Sequence, residues 1–341
     1  MAKFTQTLMP STRMAIQAAL AVTIAILLGH WLQFERAYWA ILTAMVLISQ
    51  TWGESIRKSI TRICMTIIGG ITGTLIYFCI KDSDYLLFTC LLSCIFFIVF
   101  FLEISYLWVV FFLTNMVVFM FALLQGWNTH LLIARIEETF IGAIITIVTS
   151  ALILPSHAKT QLDKDLPQLL RLAAELTDDC INQLLHQQKT TVLVNKKRIR
   201  LLKAFALLEN HAKTMNYEVF FSSYSQKQLK TMLPTLNVLI HYVISLVETL
   251  PFIQYTESQA LIKQELIKVK HLVKLNFTSV IEHLHDFPAH LKLNDLEESK
   301  AAIFTKINAT IQQDITTKSS WFEFYSFFYF VRRINEVLLE L

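Results

Sequence analysis

The chain has 341 residues, of which 54% are hydrophobic and 16% charged, and its formal net charge is +4. A small charge spread along the chain argues against nucleic acid as a main partner. Five cysteines with no paired spacing argue against a disulfide framework.

Composition divides the chain at Pro155. Residues 1–155 carry eight Lys/Arg and seven Asp/Glu, whereas residues 156–341 carry 22 and 19. All seven glycines lie in the first part. We therefore predict an all-α protein, with a transmembrane domain over residues 1–155 and a cytoplasmic α-helical domain over residues 156–341.

Six apolar segments of the first part approach the roughly 20 residues that a helix needs to cross a bilayer. They are residues 14–31, 38–50, 62–80, 85–102, 107–124 and 131–154. The second segment is short, so we predict that it continues as a helix toward Trp52 or tilts less than its neighbours. The first resembles a signal peptide, but no small-residue cleavage site follows it, and we predict a retained helix.

Basic residues near short loops predict the orientation of the spans. With the N terminus inside, seven basic residues flank cytoplasmic ends and three lie in outer loops. The two sets are Lys3, Arg13, Arg57, Lys58, Arg62, Lys159 and Lys164 inside, and Arg36, Lys81 and Arg135 outside. The pattern predicts that both termini are cytoplasmic. Tryptophans near the span ends fit an interfacial belt; they are Trp31, Trp39, Trp52 and Trp127.

Three basic residues lie close to the start of the third segment. Topology and an i,i+4 pair between Glu54 and Lys58 account for Lys58, and topology also accounts for Arg57. Arg62 leads directly into the apolar run, where a charge is costly and is a functional candidate by default. Of the three, Arg62 is therefore the stronger candidate for a functional site.

A second charged group, Arg135, Glu137 and Glu138, lies near the start of the sixth segment. Arg135 and Glu138 share a helix face, so a local ion pair is one interpretation. The other is a substrate site in which the guanidinium holds a carboxylate bidentately, with Glu137 or Glu138 as a protonatable relay. Spacing alone leaves both interpretations open.

Two motifs in these regions resemble the fusaric acid resistance and aromatic acid exporter proteins of bacterial inner membranes. More distantly, they are similar to the aluminium-activated malate transporters of plants. The first motif consists of Arg36-x-Tyr38-Trp39-Ala40, Leu42-Thr43, Gln50, Arg57, Arg62, Thr66, Gly69 and Gly73. The second is Arg135-x-x-Glu138-Thr139-x-x-Gly142, in a segment that ends at Pro155. Met65 and Thr51 stand where the family often has Gly and Pro.

The resemblance implies an inner-membrane protein that exports small organic anions such as aromatic carboxylates, driven by a gradient or by passive conduction. It also implies a half-sized member that would pair with a second copy. We predict a substrate pathway formed by Arg36, Gln50, Arg57, Lys58, Arg62, Arg135 and Glu138. Gly69, Gly73 and Gly142 are predicted to allow close helix packing.

No P-loop, nucleophile elbow, zinc-hydrolase motif or dinucleotide fingerprint occurs in the sequence. We therefore expect neither an enzyme nor a bound cofactor. The alternative to transport is a membrane-anchored scaffold or regulatory protein that acts through its cytoplasmic helices. Retention of a stoichiometric cytoplasmic partner on purification would favour that alternative.

The second half has the apolar periodicity of five or six amphipathic helices that form a bundle. Its basic run, residues 196–200, predicts either a solvated helix face or contact with anionic headgroups. His283, His285 and His290 lack a metal-ligand spacing, so we expect no metal there. The aromatic segment 321–331 is too short to span a bilayer. It predicts core or dimer contact, or docking against the membrane domain.

Overall fold

A computed structural model of the chain describes residues 9–33, 36–125, 127–186, 191–218, 223–253, 262–284, 295–313 and 318–341. Within these ranges the chain forms twelve α-helices and no strand, which confirms the all-α prediction. The described residues separate into two compact units. Residues 9–158 and 214–218 belong to the first, and residues 159–213 and those from 223 onward belong to the second.

Six helices in the first unit correspond in place to the six predicted segments. They are α1 (Pro10–Trp31), α2 (Tyr38–Leu47), α3 (Trp52–Ile80), α4 (Asp84–Phe101), α5 (Tyr106–Gln125) and α6 (Thr129–Leu152). Helix α3 packs against both α5 and α6, α2 packs against α6, and α4 packs against α5. The functional candidates on α3 and α6 therefore lie on two helices that contact each other.

Five helices in the described ranges are long and apolar enough to cross a membrane. Four are α1, α3, α4 and α5, and the fifth is Thr231–Phe252 in the second unit, a segment not among the six predicted. Helix α2 is too short for this class, and α6 carries Arg135, Glu137 and Glu138. The six-span count therefore stays a prediction.

The predicted helical extension of the second segment toward Trp52 is wrong. Helix α2 ends at Leu47, and Ile48 (ψ 130°) and Thr51 (φ −121°, ψ 152°) have extended backbone. Polar side chains satisfy this extended backbone: the Ser49 N–H donates to Ser55 Oγ at 3.1 Å. As a result, α2 is a ten-residue helix followed by a buried non-helical segment.

Helix α3 begins at Trp52, ten residues before the predicted start of the third segment. Thr51 is its N-cap, with Oγ1 accepting from the Glu54 N–H at 3.3 Å. Thr51 and Glu54 have the Thr-x-x-Glu spacing of a capping box, a start signal independent of the apolar run. Arg62 therefore lies about 15 Å along a continuous helix rather than at its end.

Glycines lie where α3 and α6 approach their neighbours most closely. A Cβ at Gly69 would lie 2.9 Å from the Phe111 carbonyl oxygen, and one at Gly73 would lie 2.9 Å from Asn115 Oδ1. At Gly142 a Cβ would lie 2.6 Å from the Ala40 carbonyl oxygen. A larger residue at these places would force the helices apart.

In the described part of the second unit, six α-helices bury a largely aliphatic core. They are α7 (Ala158–His186), α8 (Thr191–Met215), α9 (Ser223–Thr249), α10 (Lys263–Glu282), α11 (Glu297–Gln313) and α12 (Lys318–Glu340). The first residue of α7 and the last two of α8 belong to the first unit. Helix α12 packs against α9 and buries Phe324, Phe327, Phe328 and Val331. For these four residues the core interpretation of the aromatic segment is confirmed.

Candidate functional site

Arg135 is a buried cation in the first unit. It lies in the second turn of α6, and its side chain is nearly inaccessible to solvent. Its Cζ lies 3.4 Å from the centre of the Trp39 ring, so the indole covers one face of the guanidinium. None of its three guanidinium nitrogens hydrogen-bonds to a described residue. A cation–π contact compensates part of the desolvation, but it leaves the hydrogen-bond donors unused.

Glu138, three residues along α6, is also buried. The backbone N–H of Arg36 interacts with its carboxylate, while Oε2 has no hydrogen-bond partner among the described residues. The carboxylate is within electrostatic range of Arg135. The two side chains nevertheless form no hydrogen bond, since every guanidinium nitrogen of Arg135 is unpaired. Glu137 is exposed, so Glu138 is the better placed of the two candidate relays.

Arg62 approaches the same region from α3. It is buried, and its guanidinium lies against the Tyr106 hydroxyl at the start of α5. Arg62 and Arg135 are within electrostatic range of each other. Two buried arginines on neighbouring helices make the region electropositive, although its surroundings are apolar. The two cations also repel each other.

Buried hydroxyls surround these charges. Thr66 lies one turn from Arg62, Thr139 lies one turn from Arg135, and Thr43 lies one turn from Trp39. Their hydroxyl oxygens are buried and lack a partner among the described residues. Because buried polar groups are normally hydrogen-bonded, unsatisfied hydroxyls within a turn of these residues make the region the candidate site.

Arg36 completes the arginine group. Its Cζ lies 4.9 Å from the Phe121 ring centre, and Arg36 lies within electrostatic range of Glu138. A cavity of about 10 Å³ adjoins Arg36 and Arg135, with Trp39, Phe121 and Trp127 in its wall. That volume is about the size of one water, so this conformation of the site is closed. Three arginines and one buried carboxylate give it net positive charge.

The remaining predicted pathway residues lie between the end of α2 and the Arg62 turn of α3. Lys58 forms the predicted i,i+4 pair with Glu54, at 3.2 Å, and Arg57 is half-buried in the same turn. The Gln50 side chain is exposed, and its backbone carbonyl oxygen accepts from Arg13 Nη2 at 2.8 Å. Gln50 thus contributes its backbone to the extended segment that follows α2.

Several residues that shape the region are not among the predicted pathway residues. The sequence pattern places Trp39 in the interfacial belt, but Trp39 is also part of the first motif, next to Tyr38. Tyr106 carries no sequence signal for this role. Arg13 and Gln17 of α1 are buried; Gln17 Nε2 donates to the Ile153 carbonyl oxygen at 2.6 Å. These two side chains bind the extended backbone beyond α2 and α6.

Glu218 is a further buried carboxylate of the first unit, at the start of two helices. It accepts from the Gly53 N–H at 2.9 Å and from the Ala158 N–H at 2.9 and 3.0 Å. His157 Nδ1 lies 3.7 Å from its Oε2. Because helix N-termini carry partial positive charge, one carboxylate stabilises the starts of both α3 and α7.

No group of three metal-ligating side chains occurs among the residues the structure describes. His283 Nδ1 lies 2.9 Å from the Ser279 carbonyl oxygen, which is an ordinary contact at a helix end. His285 and His290 lie outside the described residues.

Comparison with known proteins supports the predicted resemblance. Residues 24–149 match the family described as fusaric acid resistance protein-like. The match covers both arginine-containing motifs and confirms the resemblance. An uncharacterized protein of Haemophilus influenzae (strain ATCC 51907 / DSM 11121 / KW20 / Rd) is 26% identical over 220 residues, 64% of this chain and 30% of that protein. The chain thus aligns with less than one third of this relative.

The family match and the apolar helices together indicate a multi-pass membrane protein of a transport-related class. The match includes α2, α3 and most of α6, which contribute Trp39, Arg62 and Arg135.

Proposed function

We propose that this chain, whose residues 24–149 match the fusaric acid resistance protein-like family, is a transporter that exports small organic anions. The protein would export these anions either as a gradient-driven carrier or as a channel. The substrate class we propose is aromatic carboxylates and similar weak acids. The site would lie in the first unit, between α2, α3 and α6.

The observation that carries this proposal is the buried guanidinium of Arg135. One face is covered by Trp39, and its nitrogens have no hydrogen-bond partner among the described residues. A buried arginine in a membrane helix is costly, and the cost reaches about 3 kcal/mol on insertion scales when the residue is at the helix centre. Unsatisfied donors add to this cost unless a ligand accepts from them. A carboxylate is the ligand that a guanidinium edge binds best, through two parallel hydrogen bonds.

The surroundings of Arg135 suit the rest of such a ligand. Trp39, Phe121 and Trp127 supply aromatic surface beside the guanidinium. The hydroxyls of Thr43, Thr66 and Thr139 can donate to a second oxygen. Arg62 adds positive charge from the neighbouring helix, which would strengthen binding of an anion. We propose that Glu138 and the carboxylate of the substrate alternate as the partner of Arg135.

Entry would require movement, because the cavity beside Arg135 holds only about 10 Å³. Helix α2 ends at Leu47, and extended backbone follows it. A short helix joined to extended backbone can change its tilt without breaking helical hydrogen bonds. We propose that α2, which carries Trp39, moves away from α6 to open the site.

The remaining assignments also belong to this proposal. We place the chain in the bacterial inner membrane with six spans and both termini in the cytoplasm. Arg57 and Lys58 would concentrate anions at the cytoplasmic mouth through their field. We further propose that the working form is a homodimer or a higher homo-oligomer, which chemical cross-linking in the membrane would test.

The test is efflux of labelled benzoate from preloaded cells that express the chain. Wild type would be compared with Arg62→Ala and Arg135→Ala at matched membrane levels, with Lys81→Ala as the control for loss of an exposed cation. We expect flux to fall to background in the first two variants and to persist in the control. Equal flux in wild type and Arg135→Ala would overturn the assigned role.

A scaffold function is the second candidate, and the closed cavity is the observation that favours it. A scaffold needs no pathway, and its arginines would be structural. Purification under mild conditions separates the two functions: a scaffold should retain a stoichiometric cytoplasmic partner, whereas a self-sufficient carrier should not.

A further inference from the structure

Helix α8 buries one narrow stripe in the second unit. Val194, Leu201 and Leu208 recur every seven residues and are buried. With 3.6 residues per turn, this spacing keeps them on one side of the helix. The opposite side of α8 therefore faces away from the core.

The basic run on α8 divides between these two sides. Lys197 forms ion pairs with Asp179 and, at 3.8 Å, with Glu175. Arg198 pairs with Glu248 at 3.2 Å. These two cations are neutralised by acidic residues of α7 and α9, so they are not available to an outside partner.

The other cations of α8 point outward. Lys196, Arg200 and Lys203 are exposed, and among the described residues none of them takes part in an ion pair. Between them lie Val192, Ile199 and Leu207, which are 71%, 51% and 40% exposed. We call these six residues the basic face.

Acidic residues are missing from the basic face. The one acidic residue of α8 is Glu209, which lies outside the basic face. It pairs with Lys213 at 2.8 Å. Single exposed apolar side chains are ordinary on a protein surface, but apolar side chains grouped with charges of one sign mark an interaction surface. Here three free cations alternate with three exposed apolar side chains.

We propose that the basic face binds the anionic headgroup surface of the lipid bilayer. Helices that lie on membranes combine exactly these two elements: Lys/Arg that attract anionic lipid, and apolar side chains that enter the headgroup boundary. A chain with several membrane-crossing helices keeps the bilayer at high effective concentration, so a short amphipathic face suffices. The ligand of the basic face is phospholipid, and the negative charge of the lipid determines whether it binds.

The charge contribution sets the size of the expected effect. Each Lys or Arg near an anionic surface contributes about 1 kcal/mol. Three such residues correspond to a roughly 100-fold change in the ratio of docked to undocked helix. Neutralising all three should therefore remove docking, whereas lipid without net charge should support little of it.

The test uses the full-length chain with its native cysteines replaced and one fluorophore attached, reconstituted in nanodiscs. The probe is attached at Ile199→Cys on the basic face. The control site is Leu339→Cys near the end of α12, which is 44% exposed and lies beside the acidic residues Glu336 and Glu340. Quenching by lipids with a nitroxide near the headgroup is measured in phosphatidylcholine, with and without phosphatidylglycerol.

We expect quenching at position 199 only when phosphatidylglycerol is present, and loss of that quenching in Lys196→Gln/Arg200→Gln/Lys203→Gln. Position 339 should stay unquenched throughout, and a melting temperature unchanged by the triple substitution would show that the fold is intact. Absence of quenching at 199 in anionic nanodiscs would overturn the proposal. So would quenching that the triple substitution leaves unchanged, or a fluorescence self-quenching signal showing that α8 meets a second copy of the chain.

Discussion

Trp39 and Arg135 form the contact on which the candidate site depends. The indole covers one face of the guanidinium at 3.4 Å, and the nitrogens along its edge keep their donors free. Stacking therefore holds the cation in one orientation without using the groups that would bind an anion. This arrangement differs from an ion pair, in which Glu138 would occupy those donors.

Replacing Trp39 by Leu should weaken anion binding while leaving the chain folded. The loss of a desolvated cation–π contact amounts to about 1–2 kcal/mol, or roughly 5- to 30-fold in the dissociation constant. Trp31→Leu is the matched control, since Trp31 is 78% exposed at the end of α1. Equilibrium binding of labelled benzoate to the purified variants measures the difference. Equal affinity in the two variants would show that Trp39 does not orient Arg135.

Glu265 offers a test of side-chain electrostatics in the second unit. Burial raises the pKa of this carboxyl, but hydrogen bonds from Lys306 and Lys268 lower it more, so its net pKa lies below the usual value. A folded-state pKa below the unfolded one stabilises the fold above the unfolded pKa of about 4.3. That contribution disappears as the pH falls through the folded-state pKa.

Glu265→Gln should therefore lower the free energy of unfolding by about 1 kcal/mol at neutral pH, because both lysines are partly exposed. The difference from wild type should shrink as the pH falls below about 4. Thermal melts across this pH range measure it, with the exposed Glu298→Gln as the control. A difference that is constant with pH would contradict the electrostatic explanation.

At the residue scale, the sequence predicted the charged members of the site better than the neutral ones. Arg62, Arg135 and Glu138 stand out because charges interrupt apolar runs, and such charges need a reason. Trp39 and Tyr106 give no comparable signal, since aromatic residues near span ends are common. Their roles depend on which helices meet, and a single sequence does not specify this.

At the scale of elements, the hydrophobic pattern located the helices of the first unit but misplaced two ends. The predicted start of α3 followed the apolar run, whereas the helix begins ten residues earlier at the Thr51 cap. Helix α2 was expected to continue, but the backbone after it is extended, and the Ser55 and Thr51 hydroxyls accept from the N–H groups of Ser49 and Glu54. Both errors have one cause: local side-chain hydrogen bonds decide helix ends, and hydropathy does not register them.

Close packing of α2 on α6 makes a prediction for Gly142. An added Cβ would lie 2.6 Å from the Ala40 carbonyl oxygen, and backbone cannot rotate away. Gly142→Ala should therefore destabilise the first unit by about 1–3 kcal/mol. Gly70→Ala is the matched control: its Cβ would meet Leu132 Cδ1, the end of a flexible side chain, and should cost less.

Thermal unfolding of the two alanine variants in detergent, followed by the loss of monodisperse protein, compares these costs. We expect a clear fall in the melting temperature for Gly142→Ala and a smaller one for Gly70→Ala. The reverse order would show that the α2–α6 contact yields more easily than the Leu132 side chain.

At the scale of the molecule, residues 214–218 belong to the first unit although most of α8 belongs to the second. Glu218 holds this segment through hydrogen bonds to Gly53, 165 residues earlier, and to Ala158. Contacts between residues so far apart in the chain leave no local pattern from which they could be predicted. The domain boundary predicted at Pro155 stays a prediction.

Glu218→Ala should destabilise the first unit, because it leaves the Gly53 and Ala158 N–H groups without their buried acceptor. Each unsatisfied group costs about 1–3 kcal/mol. Glu209→Ala is the control, since the Glu209 side chain is 45% exposed and its ion-pair partner Lys213 is also exposed. Melting temperatures of both variants in detergent give the comparison. Equal melting temperatures would mean that the two helix starts do not depend on the carboxylate.

The central claim is that Arg135 binds the carboxylate of a small organic anion, and equilibrium binding to purified protein tests it most directly. Labelled benzoate would be titrated against wild type, Arg135→Ala, Arg135→Lys and the exposed-cation control Lys81→Ala. We predict saturable binding in wild type and Lys81→Ala, weaker binding in Arg135→Lys because the planar fork is lost, and none in Arg135→Ala. Saturable binding of equal affinity in wild type and Arg135→Ala would contradict the claim.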